Sequence, residues 1–128
     1  MKILKSAAIA FSLTVAMGSF STSAVAESDP GRISHAPADV ITEVSSRIDT
    51  AVNEINNGAE SDEVAALIKK ARDFTKELNA NDKVDIALGK VRQHLKAAER
   101  AAKTADLSGA KEHLAAAKQA NEALRGLL

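Results

Sequence analysis

From Ala38 to Leu128 the chain contains no proline, and its apolar residues recur in alternating steps of three and four. No other feature restricts the fold as strongly. Proline inside a helix removes a hydrogen bond and clashes with the preceding turn, and the 3/4 step keeps residues on one helical face. The same stretch is rich in Ala, Leu, Lys and Glu, which are strong helix formers. The spacing predicts four helices. The first, from about Ala38 to Asn57, aligns Val40, Val44, Ile48, Ala51 and Ile55, with Gly58 where a C-terminal cap belongs. The second begins at Ser61, read as its N-cap, with Asp62 and Glu63 in the positive first turn. Its stripe is Val64, Ile68, Ala71, Thr75 and Leu78, widened by Leu67 and Phe74. Asn79-Ala80-Asn81-Asp82 closes it and caps the third, which carries Val84, Leu88, Val91, Leu95, Ala98 and Ala102. Asp106 caps the fourth, whose stripe is Ala110, Leu114, Ala117, Asn121, Leu124 and Leu128. Short connections make neighbours antiparallel. The expected fold of residues 38–128 is therefore an all-α, up-down-up-down antiparallel four-helix bundle.

The two halves resemble each other. Val44, Ile48, Ala51 and Ile55 recur 47 residues later as Val91, Leu95, Ala98 and Ala102. The second stripe recurs 46 residues later, where Thr75 and Asn121 put a polar residue at the same seam position. Either a duplicated helical hairpin or the pattern common to amphipathic Ala-rich hairpins accounts for this. Alanine at many seam positions buries little area per residue, so a lean core of modest stability is expected.

The N-terminal residues follow a different plan. Lys2 and Lys5 precede an apolar run from Ala7 to Met17, and Ala24-Val25-Ala26 is a small-x-small site. This is the layout of a secretory signal peptide over residues 1–26. The run is too short to span a bilayer, which takes about 20 apolar residues. No cysteine is present for a lipid anchor. Residues 27–37, with Asp29-Pro30-Gly31 and Pro37, read as a flexible lead-in. The expected location is the periplasm, with no membrane attachment after cleavage.

All seventeen acidic residues but only fifteen of the seventeen basic ones follow Ala26, a formal charge of −2. So balanced a total gives no electrostatic footprint for nucleic acid or anionic lipid. After Ala26 there is no Cys, Met, Trp or Tyr, and Phe74 is the sole aromatic. Thiolate metal sites and Met-ligated haem are thus excluded by inventory. No phosphate loop, nucleophile elbow, HExxH helix or Glu-x-x-His pair occurs, so no enzymatic role is expected. Asp62, Glu63, Asp73, Glu77, Asp82, Asp85, Glu99, Glu112 and Glu122 read as a solvated, mixed-charge face.

Three histidines remain. His35 lies in the lead-in and is expected to be solvated. His94 flanks the third seam beside Leu95, and His113 flanks the fourth beside Leu114. Facing residues across a hairpin centred near Ala105 have numbers summing to about 210, so His94 and His113 lie within one turn of level. Two imidazoles at one level can hold a borderline divalent metal such as copper. Asp106, two turns before His113, could add a third ligand only if the fourth helix started early. The bland alternative is two exposed histidines with no partner.

Export, about a hundred mature residues and two Ala-rich hairpins resemble the small metal-binding proteins of the bacterial periplasm, His-rich four-helix bundles that bind divalent metals. The likeness is clearest from Ile86 to Arg125, in Val91-Arg92-Gln93-His94-Leu95, Ala110-Lys111-Glu112-His113-Leu114 and Asn121-Glu122-Ala123-Leu124-Arg125. It implies divalent-metal binding with His94 and His113 as ligands; the chain itself is expected to be a monomer. The departure is that only these two histidines stand in the bundle. The periplasmic b-type cytochromes share size and topology, but their haem needs an axial Met that is lacking here. The competing reading is a non-catalytic structural or protein-interaction module.

Overall fold

Residues 34–128 are described by the computed structural model; the signal-peptide reading and most of the lead-in lie outside the described residues. Four helices follow one another: α1 Pro37–Asn56, α2 Ser61–Phe74, α3 Asp82–Lys103 and α4 Leu107–Ala123. A 3-10 turn, Thr75–Glu77, extends α2, and another, Leu124–Leu127, extends α4. Each helix packs against its neighbour in the chain, and α4 closes onto α1. The order along the chain is therefore the order around the bundle, as the antiparallel expectation required. No described helix is long and apolar enough to cross a membrane.

The seams form the core. Val40, Val44, Ile48, Val64, Ile68, Val84, Val91, Leu95, Leu114 and Leu124 are at most 1% exposed. Two expectations fail at the edges. Leu128 is 50% exposed, because the α-helix gives way to a 3-10 turn at Leu124 and the seam period ends there. Ser61 is the first residue of α2 rather than its cap; Glu60 stands at that position, and no side chain caps the helix. At α3 and α4 the caps are as read. Asn81 Oδ1 accepts from the Val84 amide at 3.0 Å, and Asp106 Oδ1 from the Gly109 amide at 2.9 Å.

The structure strengthens the internal repeat at its turns. Gly58 and Ala105, 47 residues apart, both have positive φ, 83° and 63°. In the first hairpin the Gly58 and Ala59 amides bond the Ile55 and Glu54 carbonyls; in the second, Ala105 and Asp106 bond those of Ala102 and Ala101. These are equivalent bonds of one Schellman turn. The second hairpin is one residue shorter because Asp106 both completes this turn and caps α4. A left-handed conformation costs a non-glycine residue about 1–2 kcal/mol, while glycine costs about 0.4–1 kcal/mol in unfolded-chain entropy. Ala105→Gly should thus raise the unfolding free energy by about 0.5 kcal/mol, and Gly58→Ala lower it by about 1 kcal/mol. Urea unfolding of the two variants checks both signs.

Candidate functional site

α3 and α4 leave a shallow groove between them. Ala87, Lys90 and His94 line it from α3; Ala116, Gln119 and Ala120 line it from α4. His94 thus stands opposite Ala116, in the register expected across the hairpin. His113 lies three residues before Ala116, on the same face of α4. His94 lines the groove, His113 sits one helical turn before Ala116 on α4, and both are half-buried.

A metal held here would find an incomplete set of ligands. Asp106 does not supply the third: α4 begins at Leu107, Asp106 caps it, and the carboxylate lies two turns from His113. Among the described residues no three His, Cys, Asp or Glu side chains come together to hold a metal ion. Lys90, one turn from His94 on the same wall, adds a positive charge that opposes a cation. His35 is exposed, as expected, yet it is not free of contact. Its ring meets Phe74 edge-on, with centroids 5.4 Å apart, and the Arg47 guanidinium stacks on the same ring at 4.7 Å. Phe74 therefore ties the segment before α1 to the first hairpin.

The solvated-face reading is corrected at Glu99 and Glu122. Glu99 is only 6% exposed, paired with Arg72 at 2.8 Å and Lys103 at 3.1 Å. It sits on the flank of α3 that α2 covers. Glu122 is half-buried where α4 meets α1. It accepts a hydrogen bond from the Ser45 hydroxyl and pairs with Arg125 at 2.8 Å. Arg125, and then Ser45, hold the Glu122 carboxyl below its ordinary pKa. Behind it Asn121, fully buried, donates to the Ile41 carbonyl at 2.8 Å and to Ser45 Oγ at 3.0 Å. Lys118 pairs with Asp49 at 2.8 Å further along.

The equivalent polar residue of the other half behaves alike. Thr75 is fully buried between α2 and α3, and its hydroxyl accepts from Arg92 Nε at 3.0 Å. By the repeat offsets, the Asn121–Ser45 contact corresponds to the Thr75–Arg92 contact. Among the described residues, every side-chain hydrogen bond or ion pair between helices joins α1 to α4 or α2 to α3, except at the α3 cap, where Asn81 Nδ2 donates to the Leu127 carbonyl at 3.0 Å. Each hairpin is held internally mainly by apolar packing, and the two hairpins are keyed to each other by polar contacts.

With the core closed by side chains, grooves between helices are the places where this molecule can meet a ligand. Comparison with known proteins finds no matching family, no matching curated protein and no matching solved structure.

Proposed function

We propose that the chain is a small exported, periplasmic helical-bundle binding protein, monomeric and non-catalytic, with one weak site for a divalent metal at His94 and His113. What supports the reading is their placement: two half-buried imidazoles on the two helices of one hairpin, about a turn from level, with His94 lining the groove between those helices. With no third ligand among the described residues, water or exchangeable ions complete the coordination, so affinity is low. For nitrogen ligands the order is copper(II) above zinc and nickel. Imidazole must be unprotonated to coordinate, so uptake falls on acidification.

Calorimetric titration of copper(II) into the wild type and into His94→Ala/His113→Ala tests this. The expected result is micromolar or weaker binding to the wild type, lost in the double variant. Equal binding by both would place the metal elsewhere, with the N-terminal amine and His35 the first candidates. Failure of both to bind would leave the bundle a protein-interaction module.

A further inference from the structure

The opposite flank of α3 carries a different chemistry. Arg72 and Lys76 of the α2 segment, with Arg92, Lys96, Arg100 and Lys103 of α3, line a continuous groove between α2 and α3. Its wider part has a volume of about 430 Å³. The acids in it are already shared. Asp73 pairs with Lys69 and Lys76, and Glu99 with Arg72 and Lys103. Among the described residues no acidic side chain pairs with Arg92, Lys96 or Arg100. These three lie at successive i, i+4 positions, a spacing at which like charges cost about 0.2–0.5 kcal/mol per pair. A near-zero total charge conceals this concentration.

The internal repeat supplies the control. The equivalent groove between α4 and α1 has Asp49 facing Lys118, a closed ion pair. By the same offsets, Lys96 stands where Asp49 stands and Arg72 where Lys118 stands. Lys76 replaces Glu122, and Arg92 replaces Ser45. One seam pairs acid with base at this position; its counterpart sets Lys96 beside Arg72, whose partner is Glu99 on the flank of α3. Thr42, which bonds Arg125 in the first seam, is matched by Gly89 in the second. A Cβ at Gly89 would meet nothing within 4 Å, so no packing demands a glycine in the middle of α3, where it weakens the helix. It lines the groove without adding a side chain to it.

We infer that the groove between α2 and α3 binds an anion bearing several phosphate groups, held by Arg92, Lys96 and Arg100. Guanidinium groups grip phosphate oxygens in pairs, and a ridge of cations spaced a turn apart matches charges repeated along a chain better than a single small anion. The phosphates belong either to a free oligophosphate or to the row of headgroups on an anionic lipid surface. The site is separate from the His94–His113 groove, and its success or failure is independent of the metal.

Two probes distinguish the sources: tripolyphosphate in solution, and vesicles of phosphatidylglycerol against phosphatidylcholine. Both are applied to the full chain at low salt. The key variant is Lys96→Glu/Arg100→Glu. Its control is Lys70→Glu/Lys83→Glu, which changes net charge equally away from the groove. The acid at position 96 faces Arg72, as Asp49 faces Lys118, so Lys96→Glu alone should melt no lower than wild type; a binding loss in it cannot then be a folding loss. The expected result is saturable binding of one probe, weakened at least tenfold by the groove variant and less than twofold by the control. Gly89→Leu should weaken it as well. Tripolyphosphate binding marks a free ligand; vesicle binding alone marks a headgroup. Equal loss in the groove and control variants, or binding of neither probe, overturns the proposal.

Discussion

Leu95→Ala is expected to lower the unfolding free energy by about 2–5 kcal/mol. Leu95 is fully buried at the middle of α3, the helix that packs against both α2 and α4. Truncation removes its side-chain contacts and leaves a cavity whose surroundings are already small. Ala98, Ala117 and Ala71 belong to the same core and offer no flexible chain to swing into the space. Ile86→Ala on the same helix is the contrast. Ile86 is 79% exposed, and its loss should stay within about 0.5 kcal/mol. Urea unfolding of both variants checks the pair, and a Leu95→Ala effect as small as that of Ile86→Ala would mean that the seam is wrongly placed.

Arg72→Met should cost about 2–3 kcal/mol, although it removes only a third of an ion-pair cluster. The reason lies in what it strands. Glu99 stays buried with Lys103 alone, and Lys103 is largely exposed, so it can offer only a partner facing water. Adding Glu99→Leu removes the stranded charge and should recover most of the loss, because an apolar pair of similar size packs the flank as well as the ion pair did. The double-mutant cycle therefore predicts a coupling of about 1–3 kcal/mol. Additive effects, with no recovery in the double variant, would show that Glu99 is served by water rather than by Arg72.

The seams were legible because each depends on one period within one helix. Val84 through Ala102 and Ala110 through Leu124 could be read by counting, and Gly58 and Asp106 by their residue type. Glu99 could not. Its burial depends on the flank of α3 that α2 covers, and flank contacts are a property of two helices. Ser61 misled because serine is a good cap wherever the backbone lets it serve; here the extended residue before the helix is Glu60. The histidines were legible as half-buried flank positions, since each stands beside a seam leucine. Their ligand set was not, since Asp106 had two possible duties and the backbone chose the cap. The basic groove was hidden for a third reason: a sum over the chain cannot report which charges face each other.

A bundle whose four seams are nearly interchangeable has a mirror problem. The same helices, in the same cyclic order, can close clockwise or anticlockwise, and apolar stripes of Val, Leu and Ala scarcely distinguish the two. In the reversed closure α4 would turn the flank bearing His113 and Ala116 toward α1, and the flank bearing Lys118 and Glu122 toward α3. Asp49 would then lose Lys118, Ser45 would lose Asn121, and Thr75 would face away from Arg92. The polar contacts between hairpins act less as reinforcement than as a choice of turning sense, encoded in a handful of side chains outside the stripes.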